Sequence, residues 1–426
     1  MIKYRLSEVA KDLNVSNKEA ADVLKERLGV VKKPATVLTE DELNVIFEHF
    51  TQKNSVSSFD KYFASRDAED VKEEQQAEPE KTKAQQLMER LDTLRQKGIM
   101  FGHQDDPFYG LTWEYQNDSS DVKNTCGDYP AVMGFELGGI EMGDVKSLDS
   151  VPFTKITEEI IAHHQRGGFI TISWHPRNPL TTIEGGGLAG QKFPEGTAWD
   201  VSDTTVVKNI LEGGKKYDLF QTWIQRLSDF LATLTTPEGE KIPFMFRPWH
   251  ENSGSWFWWG EKLCSVEEYK ALWNMVQDKL LNDGFDNIVW AYSPGCQENL
   301  TAERLLDRYP GDDRVDVLGL DGYQWAPEGK DAFIAQGKQN LEVLCQVAQD
   351  HGKIPALTEC GLKNLTDPTW WTSTLLPTVE NYPISYLLVW RNYKEEWFGP
   401  SPSKPDAQYF VDFYNNDKTL FLKEIK

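Results

Sequence analysis

Short apolar runs separated by amphipathic stretches make up most of the chain after residue 84. Each run is three to six residues long, and segments such as "TEEIIAHHQRG" and "SVEEYKALWNMVQDKLL" carry apolar residues at helical spacing between them. Strands that alternate with helices predict parallel βαβ units. The eight runs are Ile99–Phe101, Ala131–Phe135, Phe169–Ser173, Pro243–Phe246, Asn287–Tyr292, Val315–Leu320, Ile354–Leu357 and Ile384–Val389.

Eight such units predict an α/β fold, a (β/α)8 TIM barrel over residues 85–426. A doubly wound open sheet is the alternative. In a barrel, functional residues lie just past the C-terminal ends of the strands. The segments that follow the runs in this sequence are Gly102–Asp106, Trp174–Arg177, Arg247–Glu251, Asp321–Tyr323, Glu359 and Trp390–Arg391. Polar and aromatic side chains therefore collect where the barrel would open.

Residues 1–66 have a different character, because all 15 tryptophans follow residue 84. The pattern predicts a small all-α module of short helices. Thr39 and Glu42, before "LNVIFEHF", form the sequence signature of a capping box. Residues 67–84 are acidic and almost without large apolar side chains, which predicts a linker, with a solvated helix as the alternative.

The segments "YRLSEVAKDLNVSNKEAADVLKERLG" and "TVLTEDELNVIFEHFTQKN" resemble the N-terminal helical module of bacterial translation initiation factor two. The sequence has no GxxxxGK[ST] motif, so the resemblance implies nothing of that factor's GTP-binding part. We hypothesise that residues 1–66 are a fusion partner. Finding the segment in the same genomic reading frame as residues 85–426 would contradict this hypothesis.

The formal net charge of −22 argues against nucleic acid and anionic membranes as partners and is compatible with a neutral ligand. The five cysteines are scattered without CxxC spacing, which indicates neither a disulfide framework nor a zinc site. No apolar run reaches the roughly 18 residues that a membrane span requires. The first residues, "MIKYRLSEVAKDL", lack the apolar core of a signal peptide.

Glu251 and Glu359 follow the fourth and seventh runs and would face each other across the barrel mouth. A pair of carboxyl groups is what glycoside hydrolysis requires: one protonates the leaving oxygen, while the other attacks the sugar or activates water. The acid needs a raised pKa, for which Trp256 supplies an apolar wall. The nucleophile needs hydrogen-bond donors, which Tyr323 or Arg391 would provide. We expect Arg247 to support Glu359 from behind.

The tryptophans fit a sugar ligand, because the apolar C–H faces of pyranose rings pack on indoles. Core packing is expected for some of Trp223, Trp273 and Trp290, which lie within predicted elements. It explains Trp256, Trp258 and Trp259 less well, since three tryptophans of one loop are not expected all to point inward.

The segments "FRPWHENSGSWFWWG", "TISWHPRNP", "FGHQDDPFYG", "DGYQW", "ALTECG" and "LLVWRN" resemble family 26 of the glycoside hydrolases, the β-mannanase family. The resemblance implies a retaining double displacement with Glu251 as acid/base and Glu359 as nucleophile. It also implies that His250 holds the acid/base and the substrate, that Tyr323 hydrogen-bonds the nucleophile, and that Trp390 is a sugar platform. The further substrate contacts that it implies are Trp256, His175, Arg391 and Trp199.

Alternatives remain within this resemblance. A mixed-linkage β-glucanase or a β-1,3-xylanase would share the fold, although the motifs above favour β-1,4-mannan or mannooligosaccharides. A non-catalytic carbohydrate-binding protein would lose one carboxylate, and both are present. Internal cleavage and disaccharide release stay open, because they depend on rim segments such as residues 180–215. We expect no cofactor, no catalytic metal, a monomer, and export of the native enzyme.

Two further patterns have simple explanations. "GGGLAG", residues 185–190, matches GxGxxG but does not stand between a strand and a helix, so a loop is the better interpretation. His163 and His164 lie on a predicted helix and are expected to be a surface pair.

Overall fold

The computed structural model describes residues 4–13, 15–34, 36–53, 80–183 and 191–426. The chain divides into two compact units, Met1–Glu80 and Lys81–Lys426. The limits drawn from the sequence, at residues 66 and 84, stay predictions. Most of the acidic linker and the "GGGLAG" segment lie outside the described residues.

The first unit contains the helices Leu6–Asp12, Asn17–Leu28 and Glu40–Lys53. Leu6, Leu24 and Ile46 are fully buried and bring the three helices together around one small core. The capping box is confirmed: the backbone N–H of Thr39 donates to Glu42 Oε2 at 2.9 Å, and that of Glu42 donates to Thr39 Oγ1 at 3.4 Å.

The second unit is a closed barrel of eight parallel strands. Each strand pairs with its neighbours in chain order, and the first pairs with both the second and the eighth, which closes the sheet and excludes the open-sheet alternative. A short ninth strand pairs with the first outside the ring. The strands are β1 Ile99–Gln104, β2 Val132–Glu136, β3 Phe169–Trp174, β4 Phe244–Pro248, β5 Ile288–Tyr292, β6 Val317–Gln324, β7 Ile354–Leu362, β8 Tyr386–Val389 and β9 Thr419–Leu420.

Helices connect the strands. Each helix packs on the sheet because it presents an apolar stripe to it. In Tyr217–Leu231, for example, the buried residues Phe220, Trp223, Ile224 and Leu227 recur at spacings of three and four. The other α-helices of this unit are Lys83–Arg95, Asp121–Cys126, Phe153–Gln165, Val206–Ile210, Val266–Asn282, Ala302–Leu305, Lys330–Asp350, Leu376–Val379 and Ala407–Tyr414. Shorter turns are 3₁₀ at Ile140–Met142, Pro327–Gly329 and Lys363–Leu365, and π-helical at Trp371–Leu375.

Strands β6 and β7 continue beyond their predicted ends. Leu320 pairs with Leu357, but Asp321 pairs with Glu359, so Thr358 is one extra residue on β7, a β-bulge. The hydroxyl of Thr358 donates to Asp321 Oδ1 at 2.7 Å. The bulge lets pairing resume with Asp321 and Glu359 side by side at the barrel mouth.

The surface-pair prediction is wrong for His163. This side chain is fully buried, and its Nε2 lies 3.3 Å from the carbonyl oxygen of Ala131. Burial lowers the pKa of His163 to about 3, so the imidazole is neutral and belongs to the core. His164 is half-buried on the same helix. Among the described helices, none is both long and apolar enough to cross a bilayer.

Candidate active site

A cavity of about 560 Å³ opens at the C-terminal ends of the strands. It brings together all nine site residues that the sequence predicts: His175, Trp199, His250, Glu251, Trp256, Tyr323, Glu359, Trp390 and Arg391. Phe257, Trp325, Glu396 and Phe398 complete its lining. The two carboxyl groups come from β7 and from the segment that follows β4, as the barrel geometry requires.

Glu359 is buried between two donors. Arg247 donates through Nη2 to Oε1, and the hydroxyl of Tyr323 donates to Oε2 at 2.6 Å. Arg247 also donates through Nη1 to Asp321 Oδ2 at 3.0 Å, so one buried guanidinium joins β4, β6 and β7. Donors to both oxygens hold this carboxyl group in one orientation. The predicted position of Arg247 behind Glu359 is confirmed.

Glu251 lies on a strained backbone. Its φ is 52° and that of Trp249 is 54°, a left-handed conformation that L-residues rarely adopt outside functional sites. The N–H of Glu251 donates to the carbonyl of Ser293 at 2.7 Å, and its own carbonyl accepts from Gly254 at 2.9 Å. These bonds hold the turn that aims the carboxyl group into the cavity.

The environment of Glu251 favours its protonated form. Desolvation, followed by the negative charges of Glu359 and Asp321, raises its pKa well above the usual range. The indole Nε1 of Trp256 donates to Glu251 Oε2 at 2.6 Å and opposes this rise in part. Trp256 is therefore a hydrogen-bond donor to the carboxyl group as well as the apolar wall that the sequence suggests.

Two histidines with opposite character line the cavity. His175 Nδ1 lies 2.7 Å from Glu136 Oε2; burial disfavours its charged form, but the Glu136 carboxylate raises its pKa above the usual value. Burial, with the charges of Arg247 and His175, holds the pKa of His250 well below its usual value. His250 is thus neutral, and the two ring centroids are 4.3 Å apart. Trp199 stacks on His175 at 5.5 Å.

The three tryptophans of the loop after β4 differ in their burial. Trp256 is 48% exposed, whereas Trp258 and Trp259 are fully buried. Their indoles donate to the carbonyls of Pro176 at 3.0 Å and His250 at 2.9 Å. The loop folds back on itself, since the N–H of Glu261 donates to the carbonyl of Gly254, so successive side chains enter the core in different directions. The three indoles do not all point inward, as expected, but core packing does explain Trp258 and Trp259.

The core assignment of Trp223, Trp273 and Trp290 is confirmed, because each is at most 4% exposed. Phe257 stacks on Trp259 at 4.6 Å and lines the cavity beside Trp256.

Trp258→Ala should destabilise the barrel by about 3–5 kcal/mol, because it empties a fully buried indole site. Trp256→Ala, in the same loop, should cost less than about 1 kcal/mol, since Trp256 is half-exposed. Guanidinium unfolding followed by tryptophan fluorescence measures this, and it reports the barrel alone because all 15 tryptophans lie after residue 84. Equal losses for the two variants would contradict the assignment.

Arg391 does not contact Glu359. Its Nε pairs with Asp149 Oδ1 at 3.0 Å, and its guanidinium lies over the ring of Tyr393 at 5.2 Å. Two hydrogen-bond donors were predicted for Glu359. Tyr323 makes this contact, whereas Arg391 lines the cavity without making it. Trp390, which precedes it, is half-buried and presents its ring to the same cavity.

Some functional neighbours were missed. Glu136, at the end of β2, also accepts from the Ser173 hydroxyl at 2.6 Å and orients His175. The signal for Glu136 in the sequence is the polar end of the second apolar run, in "GFELGG". Trp325 follows Tyr323 by two residues within "DGYQW", but nothing in the pattern separates a cavity indole from a surface one.

A family model of glycosyl hydrolase family 26 matches residues 76–413. The chain belongs to this family. It is 31% identical over 324 residues to a mannan endo-1,4-β-mannosidase of Bifidobacterium adolescentis, covering 70% of this chain and 31% of the relative. It is 28% identical to an enzyme of the same name from Bacillus subtilis, covering 56% of this chain and 62% of the relative. The chain thus spans less than two thirds of the length of these curated relatives.

Solved structures extend the comparison to the whole barrel. A GH26 β-mannanase from Bacteroides ovatus superposes with a TM-score of 0.75 at 45% identity, covering 80% of this chain and 96% of that one. An endo-β-1,4-mannanase from Cellulomonas fimi superposes with a TM-score of 0.70 at 30% identity, covering 81% and 76%.

Proposed function

We propose that this protein hydrolyses β-1,4-mannosidic bonds in mannan-type polysaccharides and oligosaccharides with retention of configuration. The observation that carries the proposal is one cavity with two unlike carboxyl groups. Glu251 has a raised pKa, and Glu359 is held by Arg247 and Tyr323. Such an acid and nucleophile are the two groups that double displacement needs. The names of the family relatives support mannan as the substrate.

In the first step, a Glu359 oxygen attacks the anomeric carbon while the bond to the leaving oxygen breaks. Protonated Glu251 transfers its proton to that oxygen, so the leaving sugar departs as a neutral alcohol. Tyr323 and Arg247 keep the carboxylate oriented before the attack and disperse its charge. The product of the step is a glycosyl ester of Glu359.

In the second step, Glu251 is ionised and accepts a proton from a water molecule that attacks the same carbon. The ester bond to Glu359 breaks, and the sugar leaves with the β configuration that it had in the polymer. Neutral His250, stacked Trp199 and Trp390 line the cavity where this sugar would lie.

The decisive experiment incubates the protein with β-1,4-mannan, mixed-linkage β-glucan and β-1,3-xylan in parallel. We expect mannooligosaccharides from mannan, with the β-anomer first in a proton NMR spectrum of the fresh product. Preferential cleavage of glucan or xylan would replace the substrate assignment. Release of nothing from any polymer would favour a binding protein, and early α-anomer would contradict double displacement.

Because mannan is a polymer met outside the cytoplasm, we also propose that the native enzyme is exported. Fractionation of the source cells with an antibody against the barrel tests this, and a purely cytoplasmic signal would contradict it.

Trp256→Phe should move the alkaline limb of the kcat/KM profile to higher pH. The indole hydrogen bond favours ionised Glu251, so its loss raises the pKa further, and the proton donor stays protonated to higher pH. Trp325→Phe, in the same cavity, is the matched control and should leave the limb in place. A downward shift for Trp256→Phe would contradict the role of Glu251 as the acid.

A further inference from the structure

Two exposed indoles flank Glu251. Trp256 is 48% exposed and Trp325, which directly follows β6, is 72% exposed. Other tryptophans, such as Trp249, are fully buried in the core. A single exposed apolar side chain is unremarkable, so exposure alone indicates nothing. Their position is informative, because both indoles line two adjoining cavities.

A second cavity, of about 260 Å³, adjoins the first at Glu251. The two cavities share Glu251, Trp256, Tyr323 and Trp325. Glu359 and Trp390 line the first cavity and are absent from the lining of the second, which continues towards Cys296 and Phe333. The path from Glu359 past Glu251 therefore leads from the first cavity into the second, between the two exposed indoles.

The proposed chemistry orients a substrate along this path. The sugar that becomes bonded to Glu359 must lie in the first cavity. The leaving oxygen must be within reach of Glu251, so the leaving sugar extends beyond Glu251, away from Glu359. The first groups that it meets there are the indoles of Trp256 and Trp325.

The indole of Trp325 is held in place. It stacks on Tyr323 with ring centroids 5.5 Å apart and planes 28° from parallel. The hydroxyl of Tyr323 donates to Glu359 at 2.6 Å, so Tyr323 contacts both the Trp325 ring and the nucleophile. A preorganised aromatic face binds a sugar at a small entropic cost.

We propose that Trp325 forms, with Trp256, the subsite for the leaving sugar. This inference rests on the proposed function and assigns a residue to one side of the cleavage point. The same subsite would receive an acceptor sugar in the second step, when a carbohydrate hydroxyl replaces water. Trp325 then controls both the use of oligosaccharides and the share of transfer products.

The test compares two substrates of Trp325→Ala. Mannotetraose has a sugar as leaving group, whereas β-mannobiosyl fluoride releases only fluoride. We expect the ratio of kcat/KM for mannotetraose to that for the fluoride to fall about tenfold, the scale of one lost aromatic contact. With mannobiose added as acceptor, the fraction of transfer products should fall as well. Trp325→Phe keeps an aromatic face and should restore most of both.

Tyr409→Ala is the matched control, because Tyr409 is exposed on the helix Ala407–Tyr414 and lines neither cavity. It should leave the ratio unchanged. Equal losses on both substrates in Trp325→Ala, with an unchanged melting temperature, would overturn the inference while leaving the proposed function intact. Failure of the wild-type protein to cleave either substrate would overturn the proposed function itself.

Discussion

Replacing Glu359 by alanine should abolish mannan hydrolysis, with kcat falling by about ten-thousandfold or more. The variant lacks the oxygen that forms the bond to the anomeric carbon, and neither Arg247 nor Tyr323 can replace it, since both are donors in the structure. Release of reducing ends from mannan, measured over hours at high enzyme concentration, gives the residual rate.

Azide distinguishes a lost nucleophile from a damaged fold. With an activated substrate such as dinitrophenyl β-mannobioside, azide should enter the space left by Glu359 and restore turnover, giving the α-mannobiosyl azide. Glu238→Ala removes an exposed carboxylate of the same unit and serves as the control with normal activity. Substantial unassisted hydrolysis by Glu359→Ala would show that another group is the nucleophile.

Glu251→Ala should be nearly inactive on mannan but not on a substrate that needs no proton. General acid catalysis contributes about 10²–10⁴-fold, so we expect a loss of that size for mannan. Dinitrophenolate leaves without protonation, so the first step on the aryl substrate should proceed and the glycosyl-enzyme should accumulate. A burst of dinitrophenol in stopped-flow absorbance measures this.

The pH profile and azide complete this test. The alkaline limb attributed to Glu251 should disappear, and azide should give the β-azide, because it enters from the side of the missing base. A loss of equal size on mannan and on the aryl substrate would contradict the assignment of Glu251. An α-azide product from this variant would exchange the roles of the two residues.

The barrel was predictable because its evidence is local. Each strand is a short buried apolar run, and the alternation with amphipathic helices leaves few topologies. The ends of β6 and β7 were not predictable, because Asp321, Tyr323 and Glu359 are polar residues within strands. Their partners are donors and charges from other strands, which no local pattern contains.

The candidate site, like the barrel, was predictable in its location but not in its detailed contacts. Position after a strand placed seven of the nine residues on one cavity, since the barrel brings all strand ends together, and the family resemblance added Trp199 and Trp256. Position alone did not determine the direction of each side chain. Trp258 and Trp259 turn inward because backbone hydrogen bonds fold their loop, and Arg391 turns to Asp149 rather than to Glu359. Such choices depend on contacts between segments far apart in sequence.

The shared guanidinium of Arg247 has a practical consequence. It has two carboxylate partners, Asp321 and Glu359, so removing Glu359 leaves a paired, neutral couple instead of an isolated buried charge. The Glu359→Ala protein should therefore keep the fold and the sugar-binding walls of the wild type. Coupled to a resin or a fluorophore, it becomes an affinity reagent that captures and stains intact mannan without shortening it.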